Sequence, residues 1–247
     1  MNKRHSKILD LLNENKKMEV TKLSQMLNVS QVTIRKDLDI LESNGLIIRE
    51  HGFATLNDSD DINHRLANHY DTKLQIARKA VASISNGETV MIESGSCCAL
   101  VALEIARTKK DITIITNSAF IADYIRKEGL VKIILLGGEY QSESQVMVGP
   151  ITRTCAKSFY VDKLFIGIDG FTKETGFTGN DYNRCETVRD MAKQASNIIV
   201  VSDSSKFNHK GIVNLIDVDE VNTIYTDKDI PSDIEKYLVS NNIEIIK

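Results

Sequence analysis

The amino-acid sequence predicts an α/β protein in two parts. A small helical module ending in a wing-like hairpin comes first, followed by a larger Rossmann-like domain with a mainly parallel sheet. Three observations carry this prediction. Residues 3–55 show helical apolar spacing in three successive stretches and then a short extended pair. Beyond residue 72, short apolar runs alternate with helical patterns, as in domains whose strands are covered on both faces. Charge divides at the same place: residues 1–55 carry nine Lys/Arg against seven Asp/Glu, and the remaining 192 carry 22 against 27. Such asymmetry suggests two domains with different partners. The expected boundaries are 1–56 for the first domain, 57–71 for a linker and 72–247 for the second.

The bulk numbers narrow the class. A chain of 247 residues, against a soft prior of about 150 per domain, has room for one large or two unequal domains. A hydrophobic share of 42% with 26% charged residues argues against both disorder and a membrane protein. No run approaches the ~18 apolar residues that span a bilayer. The first amphipathic stretch is broken by Asp10 and Glu14, so no signal peptide is expected. Cys97, Cys98, Cys155 and Cys185 form neither a C-x-x-C pair nor a Cys/His cluster. Reduced thiols in a cytoplasm, with no metal and no cofactor, are the expectation.

In the first module, Ile8, Leu11 and Leu12 have helical spacing. Thr21 is placed to cap a second helix whose Leu23, Met26 and Leu27 face inward. Ser30 offers an N-cap hydroxyl to a third helix, Gln31 to Ser43, with Ile34, Leu38 and Leu41 on its inner face. Gly45 stops that helix, Leu46–Arg49 reads as a strand, and His51-Gly52 as a tight turn into Phe53-Ala54-Thr55. Two helices about a tight turn, followed by a wing, form a winged helix-turn-helix, the geometry that enters a major groove of double-stranded DNA. Polar side chains at the start of the third helix reach base edges there, and Arg and Lys neutralise phosphates. The DNA-facing candidates are therefore Ser30, Gln31, Thr33, Arg35, Lys36, Arg49 and His51. Asp37 is expected to cap or pair locally, since a carboxylate repels phosphate. Taken alone, Arg35 and Lys36 would read as a solvated face; the pattern of three helices plus wing is what turns the reading toward DNA.

The run Val29-Ser30-Gln31-Val32-Thr33-Ile34-Arg35-Lys36-Asp37-Leu38, with Leu41-Glu42, Gly45-Leu46-Ile47 and His51-Gly52, resembles the DeoR family of bacterial transcriptional regulators. That family's wing turn has two glycines and then Ala; Phe53 replaces the second glycine here.

In the second part, Asn57-Asp58-Ser59-Asp60-Asp61 reads as linker, and Asp71 as the cap of a helix burying Leu74, Ile76, Ala77 and Val81. Strands are predicted at Thr89–Ile92, Ile112–Thr116, Val131–Leu136, Leu164–Ile168, Ile198–Ser202 and Thr223–Thr226. Helices are predicted at about 98–108, 118–128, 184–196 and 232–241. In such sheets ligands bind beyond the carboxyl ends of the strands. The turns there are Glu93-Ser94-Gly95-Ser96, Thr116-Asn117-Ser118, Gly137-Gly138, Asp169-Gly170 and Asp203-Ser204-Ser205-Lys206. Small and hydroxylated residues bring backbone N–H groups to an anion, and Lys206 supplies a point charge for a phosphate. Each turn alone is ordinary punctuation; five at one sheet edge point to a small anionic ligand.

These turns, with Val148-Gly149-Pro150, Phe165–Gly170, Gly176-Phe177-Thr178 and Phe207, resemble the sensor domain of the same family. The resemblance implies a phosphorylated sugar or related metabolite as effector, and a fold like that of sugar-phosphate isomerases. It implies effector contacts from Ser94, Gly95, Ser96, Asn117, Ser118, Gly137, Gly138, Asp169, Glu186, Asp203, Ser205 and Lys206. Two departures stand out. The family's Asp-Ser-Gly-Thr-Thr-Thr loop is Glu93-Ser94-Gly95-Ser96-Cys97-Cys98 here, and Val188 stands where a lysine is frequent.

A catalytic reading competes. Aldose–ketose isomerisation needs a carboxylate base and an enediolate-stabilising cation; Asp162, Asp169 and Glu186 are acidic candidates and Lys206 the cation. Lys173-Glu174-Thr175-Gly176 lacks the isomerase's run of glycines. An interaction protein without a ligand would need no such cluster of turns. The favoured expectation is a regulator, a repressor of carbohydrate genes, and not an enzyme. It is expected to act as a homo-oligomer, a dimer or tetramer, because one winged module spans too few base pairs for tight specific binding.

Overall fold

The structure is a computed structural model, and it describes residues 3–43, 47–56, 62–129 and 131–247. The chain folds as two compact units, residues 1–71 and 72–247.

The first unit opens with α1 (Lys3–Asn15), which buries Ile8, Leu9 and Leu12, while Leu11 is only partly covered. A short strand, β1 (Lys17–Glu19), runs directly into α2 (Val20–Leu27). Two expectations change here. Glu19, not Thr21, holds the N-cap position, and the Thr21 hydroxyl donates to Glu19 Oε2 at 3.0 Å. Met26 is 52% exposed rather than inward: the covered side of α2 runs through Val20, Leu23 and Leu27. Asn28, in the left-handed region at φ 52°, closes α2. The Ser30 hydroxyl accepts from Thr33 N at 3.2 Å and so caps α3 (Gln31–Ser43), whose Ile34, Leu38 and Leu41 are buried. Gly45, expected to stop this helix, and Leu46 lie outside the described residues.

Strands β2 (Ile47–Glu50) and β3 (Phe53–Leu56) form the wing. Both turn residues, His51 (φ 46°) and Gly52 (φ 86°), are left-handed, as a two-residue hairpin with the right-handed strand twist demands. β1 adds to β3 antiparallel, giving the order β1-β3-β2, and Lys17 Nζ lies 4.7 Å from the centre of the Phe53 ring. The stretch read as linker contains α4 (Ile62–Ala67), whose Ala67 joins the first unit's core; residues 57–61 lie outside the described residues.

The second unit begins on α5 (Tyr70–Ala82), with Asp71 inside its first turn rather than capping it. Its seven-stranded parallel sheet consists of β4 (Thr89–Ile92), β5 (Thr113–Thr116), β6 (Lys132–Leu135), β9 (Val161–Ile166), β12 (Ala195–Val201), β14 (Thr223–Tyr225) and β15 (Glu244–Ile246). Between them lie β7 (Glu139–Gln141), β8 (Val146–Val148), β10 (Gly170–Thr172), β11 (Gly176–Gly179) and β13 (Val213–Ile216). The helices are α6 (Ser96–Thr108), α7 (Ala119–Ile125), α8 (Gly149–Ala156), α9 (Tyr182–Ala192) and α10 (Ser232–Ser240).

The strand order is β15-β14-β12-β9-β4-β5-β6. Chain order therefore runs outward in both directions from the β4–β9 pair, which makes that pair the topological switch point where the two loops diverge and leave a crevice. β10, β11 and β13 form an antiparallel sheet, and β7 and β8 a ribbon. Compared with the sequence expectation, β9 begins and ends earlier, β12 begins earlier, and β15 continues the sheet by one strand. The core gathers Met91, Leu164, Ile166, Val200 and Ile224 from the sheet with Met191, Ile234 and Leu238 from helices.

Candidate functional site

Two surfaces hold the predicted residues. On the first unit, Gln31, Arg35 and Lys36 of α3 are exposed and Thr33 is half-buried. What fixes this face outward is on the opposite side. Asp37, 4% exposed, accepts from Arg4 Nε at 2.5 Å and Nη2 at 2.9 Å, and lies 3.0 Å from His5 Nε2. The carboxylate thus pairs with α1, more than thirty residues away, and not locally as expected. Burial raises its pKa, but the hydrogen bonds from Arg4 and His5 outweigh burial and hold it below the usual aspartate value.

The remaining DNA-facing candidates divide. Ser30 is engaged as the α3 cap, its hydroxyl 2.9 Å from that of Thr33. Arg49 ties the wing to α3: its guanidinium pairs with Asp39 and lies 3.7 Å from Glu42, and its N–H donates to Glu42 Oε1 at 3.2 Å. His51 stands exposed at the wing tip.

On the second unit the crevice is built by the loops after β4 and β9. Gly95 and Gly167 meet so closely that a Cβ on Gly95 would lie 3.2 Å from the Gly167 Cα. The buried Glu93 joins them: its Oε2 accepts from Gly95 N at 2.9 Å and Gly167 N at 3.2 Å, and its Oε1 accepts from Ser94 Oγ at 2.7 Å. These two amides, which sequence reasoning offered to a ligand anion, are thus filled by the chain's own carboxylate. The first-turn amides of α6 carry no side-chain cap, since Gly95 is its N-cap. Ser96 is half-buried at that end.

Beside it stand Cys97, Lys73, Asp203 and Lys206. Lys73 Nζ lies 3.9 Å from Asp203 Oδ2, with both side chains 5% exposed. Asp203 Oδ1 accepts from Ser205 N at 3.1 Å and from the Ser205 hydroxyl. Lys206 is half-buried on the turn Ser204–Lys206, and no ion pair or side-chain hydrogen bond engages its ammonium among the described residues. Burial pushes the Cys97 thiol up to about 12, countered in part by Lys73. Burial likewise raises the Cys98 thiol and takes that of Cys185 to about 11. Neutral thiols are poor nucleophiles.

Lys73 was missed in the sequence. Its signal was positional: with Ile76, Ala77 and Ala80 it occupies the first place of the buried i, i+3, i+4, i+7 stripe of α5.

The other predicted contacts serve the scaffold as well. Ser118 caps α7 by accepting from Ile121 N at 3.1 Å. Asn117 Nδ2 donates to Met147 O at 3.1 Å, holding the β8 ribbon, while its buried Oδ1 has no partner among the described residues. Gly138 (φ 157°) is a packing glycine, because a Cβ there would fall 1.9 Å from Thr152 Oγ1; Gly137 beside it is exposed. Asp169 Oδ2 accepts from Asn180 N at 2.9 Å. Glu186 is committed to Arg189 and to Arg153 Nη1 at 3.1 Å, and the hydrogen bond from Arg189 holds its carboxyl below the ordinary glutamate value. These engagements separate the isomerase candidates. Asp162 is near the amino end of β9, where it lines a shallow cleft with Asn86, Glu88 and Tyr160. Asp169 follows the other end of that six-residue strand, about 20 Å away.

Among the described residues no helix is long and apolar enough to cross a membrane, and no cluster of His, Cys, Asp or Glu could hold a metal ion.

Comparison with known proteins matches both units. Residues 4–60 match the DeoR-like helix-turn-helix domain and residues 68–228 the DeoR C-terminal sensor domain. The chain is 30% identical to the glycerol-3-phosphate regulon repressor of Escherichia coli, over 98% of this chain and 97% of that protein. It is 28% identical to the transcriptional regulator GolR of Listeria innocua, over 92% and 91%. It is 27% identical to the L-fucose operon activator of Haemophilus influenzae, over 98% of each. Among solved structures, the sorbitol operon regulator SorC of Klebsiella pneumoniae aligns with a TM-score of 0.45 and 11% identity, over 95% of this chain and 98% of that one. With both units and almost the whole length matched, the chain belongs to the DeoR family of transcriptional regulators.

Proposed function

We propose that this regulator is a cytoplasmic homo-oligomeric repressor of carbohydrate-metabolism genes, and that a phosphorylated sugar or related metabolite in the switch-point crevice sets its operator affinity. The observation that carries the reading is the half-buried ammonium of Lys206, without an ionic partner among the described residues, beside the uncapped start of α6. A cation next to free amide donors recognises a dianionic phosphate. Because Glu93 already fills the Gly95 and Gly167 amides, the phosphate belongs at the Lys206 end, over Ser96 and Ser205. The sugar then extends along the strand ends past Ser94, Asn117, Ser118, Gly137, Gly138 and Asp169. Glu186 and Asp203 act on it through the ion pairs described above, and Lys73 neutralises Asp203.

On the other unit, Gln31, Thr33, Arg35 and Lys36 meet the major groove, and His51 the neighbouring backbone. Ser30 and Arg49 hold α3 and the wing in place. Two such modules, one from each subunit, reach half-sites about 34 Å apart or multiples of it. No catalytic role is assigned: the acidic candidates are dispersed, and the buried thiols are protonated. Repression is read from the glycerol-3-phosphate relative, which is named a repressor; the fucose relative is named an activator.

The test is a thermal-shift panel on the full-length chain, with glycerol 3-phosphate and hexose and pentose phosphates beside their unphosphorylated sugars. A ligand at a hundred times its dissociation constant raises stability by about 2.7 kcal/mol. Stabilisation by phosphorylated members only is expected. Equal response to the free sugars would overturn the phosphate assignment, and a monomer in light scattering at micromolar concentration the oligomer.

A further inference from the structure

We propose that Val32 reads a thymine of the operator through apolar contact with its 5-methyl group; the inference rests on α3 being the DNA-reading helix. Val32 lies in the first turn of α3 and is 60% exposed, whereas Ile34, Leu38 and Leu41 of the same helix are fully buried. It takes no part in the core. Helical spacing puts Arg35 at i+3 and Lys36 at i+4 from it, so the three share one face, and all three are exposed.

That face has an apolar entry flanked by two cations suited to phosphate. Gln31 before it offers an amide, and the Thr33 hydroxyl after it is already engaged with Ser30. Val32 is therefore the side chain of this turn that presents methyl groups and nothing else. In the major groove the matching feature is the thymine C5-methyl, which hydrogen-bonding side chains do not read. A β-branched residue on an exposed helix face gains nothing in helix propensity, but its single preferred rotamer holds the methyl groups in a fixed position before contact.

The experiment uses the full-length chain and a duplex that it selects from a random-sequence pool. Each thymine of that duplex is replaced singly by deoxyuridine, which removes the methyl group and keeps the base pair. In the wild type, one position per half-site is expected to weaken binding about four-fold, the worth of one buried methyl group. Val32→Ala is expected to lose sensitivity at that position alone, while its melting temperature, its response at other thymines and its salt dependence stay those of the wild type. If every deoxyuridine weakens Val32→Ala as much as wild type, Val32 is not a thymine contact, and the reading of α3 stands. If the wild type selects no sequence, the reading of α3 falls and this inference with it.

Discussion

Arg4 of α1 grips Asp37 of α3 with two guanidinium nitrogens, Nε at 2.5 Å and Nη2 at 2.9 Å, and His5 Nε2 closes the same carboxylate at 3.0 Å. A helix packed only through Ile34, Leu38 and Leu41 could roll on an apolar surface, since hydrophobic contact is non-directional. A forked ion pair is directional, and it fixes which residues of α3 face outward.

Replacing Asp37 with Asn removes the charge but keeps the shape. The first unit is expected to lose about 1–2 kcal/mol, at the lower end for charged hydrogen bonds because Arg4 is partly open to water. The effect has a pH signature. A carboxyl whose folded pKa lies below its unfolded value of about 3.9 stabilises the fold above that value, and the contribution fades as pH falls through the folded pKa. Wild type and Asp37→Asn should therefore differ in melting temperature at pH 7 and converge as the pH falls below the unfolded carboxyl value and on through the folded one. A difference that persists there would mean that the side chain acts by packing, not charge.

How much of this was legible in the sequence depends on how many sides of each element are covered. Thr89–Ile92, Ile112–Thr116 and Ile198–Ser202 stood out because strands buried on both faces must be apolar throughout. No strand is predicted over β10, β11 or β13: the first two are short, glycine-bearing antiparallel pieces (Gly-Phe-Thr and Gly-Phe-Thr-Gly) and β13 is only four residues long, while β1 has a single buried residue, Met18, between exposed Lys17 and Glu19. Thr21 was misread as a cap because nothing local announces a strand that passes into a helix without a loop. The site was legible as a set of turns at one sheet edge. It was not legible that Glu93 folds back onto Gly95 and Gly167, or that Lys73, a residue type usually solvated, takes a core position.

Arg35→Ala and Lys36→Ala should weaken operator binding without changing the melting temperature, as both side chains are exposed. If either side chain holds a base edge through a bidentate pair, its removal costs about 1–3 kcal/mol and relaxes preference at one base pair. If it holds a phosphate instead, its removal weakens all sequences alike and lowers the salt slope by about one ion. Titrations at several salt concentrations, on selected and scrambled duplexes, separate the two outcomes. Unchanged binding in both variants removes α3 from the interface.

The thiols should divide three to one. Cys97, Cys98 and Cys185 are buried, and burial keeps their protons on; Cys155 is partly exposed. Native protein treated with an aromatic disulfide reagent at pH 8 should release about one equivalent quickly, and four after unfolding in guanidinium. Rapid release of two or more would show that at least one buried thiol, at the α6 end or on α9, opens readily to solvent. Effector present in excess should slow any residual reaction of Cys97, which lies at the proposed phosphate end.

Lys73 and Lys206 stand near the same carboxylate but should fail differently. Lys73→Met leaves Asp203 buried without its cation, and breaking such a pair typically costs about 3 kcal/mol or more, so its melting temperature should fall clearly. Lys206 is half-buried and bonded to nothing ionic among the described residues, so Lys206→Ala should melt as the wild type does. Its consequence lies in coupling. An effector changes operator affinity only by binding one state of the protein better than the other, usually by five- to 150-fold. Without the ammonium, a dianionic phosphate loses its main cation, and the response of DNA binding to the best compound of the thermal-shift panel should vanish while effector-free binding is kept. Lys206→Gln has similar length without charge and should behave as the alanine variant does. The measurement is an operator titration with and without that compound on wild type and both variants. If Lys206→Gln responds like wild type while Lys206→Ala does not, length and hydrogen bonding matter rather than charge, and the ligand at this end is neutral. If both respond like wild type, the phosphate does not sit at Lys206, and the crevice must hold its ligand by backbone amides alone.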